Sequence, residues 1–191
     1  RLLTEAIVPL LDEADIIVGH NAKRFDKRKL NAKFLQHGIT PPRPYATIDT
    51  MLVSKRHFNL SSHSLANIAK LLGLGGKIET GGYKLWEACL NGDSEAIQSM
   101  MEYNEYDVVL LEAVYNKLLP WIDNFPATHS MGTCPKCDGE YKKDGFQITR
   151  TGKFQQYRCK GCGSWVKDGV NLLLDEKSVE ERKMIKRNVP L

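Results

Sequence analysis

The sequence predicts an α/β domain followed by a small β-rich module. Two short apolar runs, Asp15–His20 and Tyr45–Ile48, alternate with amphipathic helical patterns, and this alternation is typical of α/β folds. Four cysteines in two C-x-x-C pairs mark the module that follows. The expected divisions are an α/β domain over residues 1–120, a linker over 121–132, the β-rich module over 133–170 and a charged tail over 171–191.

The helices are predicted from apolar residues that recur at three- and four-residue spacing. They are expected over residues 2–13, 27–37, 49–57, 62–72, 83–90 and 94–119. The glycine-rich stretch Gly73–Gly82 lacks the G-K-[ST] sequence of a phosphate-binding loop, so we expect a flexible connector there. Because two strands rarely form a stable sheet, we expect the remaining strands of the domain to lie upstream of Arg1.

The positive charge of the chain is concentrated in the β-rich module. The formal net charge is +4, and residues 130–170 alone carry 8 Lys or Arg against 4 Asp or Glu. This concentration favours an anionic partner for the module, although a basic solvated surface would give the same count. No apolar run approaches the ~20 residues of a membrane-spanning helix, and no export signal is recognisable. We therefore expect a cytoplasmic protein without a membrane partner.

The stretch Glu102–Tyr115 is predicted to be a helix that carries a chemically useful pair. Its apolar residues, among them Val108 and Val114, predict one buried face. Tyr103 and Asp107 are four residues apart, so their side chains lie one turn apart on the same side of the helix. A carboxylate can hold a divalent metal ion, and a phenol can orient a water molecule. The alternative is an ordinary helix face, because Y-x-x-x-D also occurs by chance.

The loop after the first strand, with the sequence GHNAKRFD, is the second candidate for chemistry. Asp26 follows the carboxyl end of a buried strand, where α/β folds usually hold their ligands. Asn21 and Phe25 can shape this loop by hydrogen bonding and packing. The alternative for Asp26 is an N-cap of the helix that follows. Lys23 and Arg24 could contact a nucleic-acid backbone, although a solvated basic face is equally consistent with their positions.

The β-rich module carries the most specific local motif, CPKC followed by CKGC. Two C-x-x-C turns can close a tetrahedral Zn²⁺ site whose four sulfurs leave no open position, so we expect one structural zinc ion. The four predicted ligands are Cys134, Cys137, Cys159 and Cys162. Cys89 is left over and is expected to be a buried hydrophobe.

Between the cysteine pairs, Phe146–Thr149 and Phe154–Arg158 predict a hairpin around Thr151-Gly152. Aromatic residues interleave with basic ones there, which suits contacts to bases and phosphates. Lys153 and Arg158 are the predicted nucleic-acid contacts. The alternative is that the aromatic side chains only cover the zinc site.

The pattern N-x-x-x-F-D after a strand, followed by Y-x-x-x-D in a helix, resembles the DEDD superfamily of 3′–5′ exonucleases. These are DnaQ-like nucleases with a ribonuclease H fold. Asn21, Phe25 and Asp26 match the second motif of that family, and Tyr103 and Asp107 match the third motif of its DEDDy subgroup. The resemblance implies two catalytic Mg²⁺ or Mn²⁺ ions, with Asp107 holding the ion that activates water, Tyr103 orienting that water, and Asp26 serving the second ion.

The chain departs from the family at its first motif. That motif, Asp-x-Glu, supplies two of the four carboxylates, and no such sequence occurs before Asp26. We expect the motif to lie upstream of Arg1. Without it, the expected role is a non-catalytic nucleic-acid-binding module or a replication-complex adaptor on a degenerate nuclease fold.

The order of the domains is also informative. A nuclease domain followed by a zinc ribbon is similar to a group of phage and bacterial predicted exonucleases, whose setting would be the host cytoplasm if the gene is phage-encoded. The partner implied is nucleic acid with a 3′ end, with DNA favoured over RNA, and possible protein partners are replication or repair factors.

Overall fold

The computed structural model describes residues 1–75, 82–123, 125–126 and 132–174. The chain divides into two units, Arg1–Pro126 and Ala127–Leu191, and each is considered by itself. The division falls inside the segment predicted as a linker over 121–132. The predicted connector between residues 76 and 81 and most of the predicted charged tail lie outside the described residues.

The first unit begins with a helix and a parallel β-α-β arrangement. Its elements are α1 Leu2–Glu13, β1 Ile16–Gly19, α2 Asp26–His37 and β2 Ala46–Asp49. The two strands pair in parallel from Ile16↔Ala46 to Gly19↔Asp49, so their carboxyl ends meet at one edge. Gly38 ends α2 in the left-handed conformation at φ 64°, which glycine adopts without steric cost.

Four further helices complete the first unit. They are α3 Thr50–His57, α4 Leu65–Leu71, α5 Tyr83–Leu90 and α6 Ser94–Leu118, followed by a short 3₁₀ turn at Leu119–Trp121. Side-chain N-caps start three of them, since Asp49, Ser64 and Asp93 each accept hydrogen bonds from backbone N–H groups of the first turn. The predicted helices are thus confirmed, with their ends shifted by up to three residues.

The core of the first unit lies between α4 and α6. Ile68 and Ala69 of α4 are buried against Leu110, Val114 and Leu118 of α6. The predicted buried face is confirmed at Val114, which is fully buried, and is wrong at Val108, whose side chain is 65% exposed. The apolar residues of α6 form two neighbouring stripes, and packing against α4 selects the one that contains Leu110.

The second unit is a three-stranded antiparallel sheet in the order β3-β4-β5. Its strands are β3 Tyr141–Thr149, β4 Gly152–Cys159 and β5 Trp165–Asn171. The predicted hairpin is confirmed, since Thr149 pairs with Gly152 at the turn. The third strand returns after the second cysteine pair and pairs Trp165 with Arg158. Among the described residues, no helix has the length and apolar character needed to span a membrane.

Candidate active site and metal centre

The loop between β1 and α2 is anchored by Asp49, which is only 3% exposed at the end of β2. Its Oδ1 accepts a hydrogen bond from the backbone N–H of Asn21 at 2.9 Å, and its Oδ2 accepts one from Lys23 N–H at 3.0 Å. Oδ1 also accepts from Met51 and Leu52 N–H and so caps α3. One carboxylate therefore joins the candidate loop to the neighbouring strand.

The hydrogen bonds that hold the loop are therefore made by Asp49 and not by Asp26. Asp26 is the first residue of α2 and is exposed, and the N-cap position belongs to Phe25, which makes no side-chain capping bond. The alternative interpretation of Asp26 as an N-cap is therefore wrong. A carboxylate in the first turn of a helix interacts favourably with the helix dipole, and the exposed Asp26 side chain is accessible to a ligand.

The other loop residues predicted as contacts have distinct surroundings. Asn21 adopts a positive φ of 63°, a conformation in which asparagine is common, and its backbone turns the chain away from β1. Phe25 is 55% exposed, with the Lys29 ammonium 5.7 Å from its ring centroid. Lys23 and Arg24 are exposed, so their side chains are accessible to an anionic partner.

A half-buried polar network lies behind the loop. His20 Nε2 is 2.9 Å from the His63 carbonyl oxygen, and His20 Nδ1 is 2.9 Å from Thr50 Oγ1. Ser54 Oγ in turn lies 2.8 Å from His63 Nδ1. Burial lowers the pKa of His20, and nearby His63 and Lys55 act in the same direction, whereas the hydrogen bond to His63 and the charge of Asp49 oppose the shift.

The lowered pKa of His20 favours a neutral ring. The neutral ring donates from Nε2 to the His63 carbonyl and accepts at Nδ1, so the single Thr50 hydroxyl hydrogen points to Nδ1 rather than to the Gly19 carbonyl oxygen at 3.2 Å. His20 therefore has a packing role, and both ring nitrogens are occupied within the fold.

The low pKa of His20 predicts a loss of stability in acid. Unfolded histidine takes up a proton near pH 6.5, whereas the folded ring resists it, so the free energy of unfolding should fall as the pH drops below about 6.5. Because the ring is partly exposed, the loss should be small. Urea unfolding at pH values on both sides of that point measures it. The His20→Gln protein should lose this dependence, and His37→Gln should keep it; equal slopes in the two variants would contradict the assignment.

Tyr103 and Asp107 extend the packed stripe of α6 beyond the core. Both side chains are partly buried, and the same stripe continues one and two turns later into buried Leu110 and Val114. The C-terminal half of the stripe therefore packs in the core, and the N-terminal half carries the Tyr103 phenol and the Asp107 carboxylate. The pair lies on one side of the helix, as the four-residue spacing predicts.

Asp26 and Asp107 are not part of a compact acidic cluster. Within the described part of the chain, the four motif cysteines are the sole group of three or more Cys, His, Asp or Glu side chains close enough to share a metal ion. Their ligand atoms all lie within 4.8 Å of one another. Sequence reasoning missed Asp49, although its position between a strand and a helix is a typical N-cap signal.

The sulfur positions suit a tetrahedral zinc site. Cys134 Sγ and Cys162 Sγ are 3.7 Å apart, and Cys137 Sγ and Cys159 Sγ are 3.5 Å apart. Four ligands at a Zn–S distance of 2.3 Å would be separated by about 3.8 Å. Gly139 contributes to this approach, because a Cβ there would come within 2.8 Å of Cys159 Sγ.

The electrostatics of the four thiols also favour a bound cation. Burial acts to raise the pKa of Cys134, but hydrogen bonds from Ser164, the Lys136 backbone and other neighbours lower it to about 6. Burial and the neighbouring thiols raise the pKa of Cys137 to about 12. Thiols that resist joint ionisation are the groups that a divalent cation deprotonates. Ser164 Oγ lies 3.5 Å from Cys134 Sγ and 3.2 Å from Cys162 Sγ, which orients two ligands.

The two predicted basic contacts of the module lie on opposite faces of its sheet. Lys153 and Arg158 are five residues apart on β4, and neighbouring residues of a strand point to opposite sides. Lys153 lies over the Phe146 ring at 4.2 Å, whereas Arg158 lies over the Trp165 ring at 5.6 Å. A nucleic-acid strand on one face would therefore contact one of them.

The face that contains Arg158 combines three cations with two aromatic rings. Arg158 pairs across the sheet with Lys142 on one side and Trp165 on the other. Two residues along β4, Gln156 pairs with Lys167, whose ammonium lies 4.6 Å from the centroid of the Phe154 ring. We call this surface the Arg158 face, and its residues are Lys142, Phe154, Gln156, Arg158, Trp165 and Lys167.

Comparison with known proteins finds a family that matches the first unit. A family model described as the RNase H superfamily matches residues 1–119. No curated protein matches the chain. The match covers β1, α2, β2 and α6, and thus the loop with Asp26 and the helix with Tyr103 and Asp107.

Proposed function

The chain belongs to the RNase H superfamily, and from this membership we propose that it acts as a metal-dependent 3′–5′ exonuclease of the DEDDy type. Superfamily members are usually nucleases, so hydrolysis of nucleic-acid phosphodiesters is the class of reaction that the match supports. The 3′–5′ direction, the two-metal mechanism and the preference for DNA are the finer parts of the proposal. They rest on the two motifs around Asp26 and Asp107.

The observation that carries the proposal is the exposed carboxylate of Asp26 on a loop that the Asp49 carboxylate joins to the neighbouring strand. Asp49 accepts the hydrogen bonds that hold the loop, and Asp26 remains exposed beyond the carboxyl end of β1. Ligands of open α/β sheets bind at that end of the strands. A charged side chain that is held in position without stabilising the fold is a candidate for binding a ligand.

Asp26 and Asp107 have the donor chemistry that the proposed metal ions require. Carboxylate oxygens are hard ligands and suit Mg²⁺ or Mn²⁺. Such ions, when bound, lower the pKa of water and stabilise the leaving oxygen of a phosphodiester. In the proposal, Asp26 and Asp107 contribute ligands, while the Tyr103 phenol orients the attacking water. Asn21 and Phe25 shape the loop, and Lys23 and Arg24 offer cations to the backbone of the bound strand.

The second unit is proposed to hold nucleic acid next to its zinc site. Support comes from the Arg158 face, where cations adjoin the half-exposed Trp165 ring and the partly buried Phe154 ring. Stacking of bases on aromatic rings and attraction of phosphates by cations together bind single strands with little sequence preference. Lys153 lies on the other face and would contact a second stretch of the strand.

The competing proposal is a nucleic-acid-binding or replication-complex adaptor without catalysis. It is favoured because, in the part of the chain that the structure covers, neither Asp26 nor Asp107 belongs to a group of three or more side chains close enough to share a metal ion. Such a module would retain salt-sensitive binding through its cations but would not hydrolyse the strand.

The test uses the product of the complete reading frame, loaded with zinc and freed of other divalent ions. A single strand labelled at its 3′ end should release labelled mononucleotide when Mg²⁺ or Mn²⁺ is added, and a covalently closed circular strand should remain intact. A chelator is avoided in the control because it would also remove zinc. Cutting of the circle would contradict exonuclease action. Salt-sensitive binding without cleavage would favour the adaptor.

A further inference from the structure

A cavity of about 400 Å³ lies beside β2 in the first unit. Its walls include Lys23, Thr47, Arg56, His57 and Trp121. We call it the β2 cavity. Its volume is in the range of sites that hold a small organic molecule or one unit of a polymer. The residues that match the two family motifs do not line this cavity, and neither do the zinc ligands.

The lining of the β2 cavity carries two exposed cations, Arg56 and Lys23, and two carboxylates, Asp49 and Asp123. Asp123 Oδ2 contacts Arg56 Nη1 at 3.2 Å and His57 Nε2 at 3.1 Å, and Asp49 accepts backbone N–H groups of the loop. The Arg56 side chain is nevertheless 66% exposed, and a guanidinium has five N–H donors, so donors remain for a ligand. A phosphate group can accept hydrogen bonds from the donors that Arg56 and Lys23 leave free.

One wall is aromatic. Trp121 is 48% exposed, and its other surface is packed. The Phe58 ring meets it edge-on at 5.1 Å between centroids, and the His57 ring lies at 5.9 Å. These neighbours hold the indole in a defined orientation and leave part of it uncovered. A planar base could stack on that part without reordering the protein.

A buried hydroxyl in the wall lacks a partner. Thr47 Oγ1 is shielded from solvent and forms no hydrogen bond with any residue of the described chain. Because this oxygen has almost no solvent-accessible surface, a ligand would reach it only after a local shift of the wall, and the subsite does not depend on it.

The β2 cavity adjoins the candidate catalytic loop. Lys23 lines the cavity, its backbone N–H is bound by Asp49, and Asp26 follows three residues later in the same loop. A strand held at Asp26 therefore passes close to the cavity. We propose that the β2 cavity is a nucleotide subsite, in which a base stacks on Trp121 and its phosphate binds Arg56 and Lys23. This subsite deepens the proposed nuclease function and rests on it for the identity of the polymer.

The experiment uses ¹⁹F NMR of the protein labelled with 5-fluorotryptophan, because the chain contains 3 tryptophans and each gives its own signal. Thymidine 5′-monophosphate is the probe, titrated without Mg²⁺ or Mn²⁺ so that no hydrolysis enters the readout. The Trp121 signal should shift saturably. Trp86 on α5 serves as an internal reference, since it does not line the cavity.

Two matched variants test the phosphate contact. Arg56→Gln should weaken thymidine 5′-monophosphate binding at least about tenfold, because a charge-assisted hydrogen bond is lost. Lys55→Gln removes the adjacent exposed cation, which is outside the cavity, and should leave the affinity unchanged. Thymidine lacks the phosphate and should bind both variants equally.

The outcomes separate the subsite from catalysis. An unmoved Trp121 signal, or the same affinity in Arg56→Gln and Lys55→Gln, would overturn the subsite even if the protein degrades DNA. A Trp121 shift that depends on Arg56 would support the subsite even if the protein proves unable to cleave.

Discussion

Replacement of Asp107 by asparagine is expected to reduce the rate of mononucleotide release at least about 10³-fold, equivalent to about 4 kcal/mol of transition-state stabilisation. The proposed role of Asp107 is to hold an ion through a charged oxygen, and asparagine keeps the shape but removes the charge. The side chain is partly buried beside the packed stripe of α6, so the shape-preserving change should lower the free energy of unfolding by no more than about 1 kcal/mol.

The measurement is single-turnover release of a 3′ label at saturating protein, with urea unfolding of the same preparations. Glu105→Gln is the matched control, since it removes a carboxylate from an exposed position of the same helix. Tyr103→Phe should reduce the rate by about 10²-fold, because it removes only the orienting hydroxyl. If Asp107→Asn retained the turnover of Glu105→Gln, the assignment of the site would be refuted.

Loss of one cysteine ligand is expected to unfold the second unit. Zinc binding by four thiolates contributes an apparent free energy of about 10–16 kcal/mol in small zinc domains, which is more than so small a sheet can supply by itself. Cys159→Ser should therefore abolish stoichiometric zinc binding and the dispersed amide NMR signals of residues 132–174. Cys159 is 2% exposed, so the substituted hydroxyl would also be buried next to three thiols.

Cys89→Ser provides the matched control for the zinc site, because Cys89 is a free thiol on α5 outside the four-sulfur group. That variant should bind one zinc ion per chain as the wild type does. Ser164→Ala should still bind zinc but about 10–100-fold more weakly, since it removes a hydroxyl that orients two ligands. Full zinc occupancy and an intact sheet in Cys159→Ser would exclude a closed four-cysteine site.

The first prediction concerns cleavage by the first unit, and the second concerns zinc binding by the second unit. A variant that lacks zinc but retains cleavage of short strands would assign the second unit to binding alone. Loss of cleavage in Asp107→Asn with zinc intact would confine the chemistry to the first unit.

Much of the local structure follows from short-range patterns in the sequence. The three- and four-residue apolar spacing gives the helices, Gly38 ends α2, and the turn at Thr151-Gly152 closes the hairpin. Each C-x-x-C pair forms its own tight turn, which brings two sulfurs together. These features depend on neighbours in the chain, so their energetics are already present in the local sequence.

The stripe of α6 that is buried depends on contacts between distant segments. The sequence allows a face around Val108 as readily as one around Leu110, and only packing against Ile68 and Ala69 selects the second. That choice also decides the surroundings of Asp107, which lies on the selected stripe and is partly buried.

The helices, the hairpin and the two C-x-x-C turns can be predicted from sequence, since each depends on residues within a turn or two of one another. Contacts between distant segments, in contrast, give Asp49 the role of holding the loop and leave Asp26 exposed. Parallel pairing of β1 with β2 brings the Asp49 carboxylate to the backbone N–H groups of Asn21 and Lys23, across more than 25 residues of sequence. The burial of Asp49 makes those bonds obligatory, and the exposed Asp26 is thereby left available for a ligand.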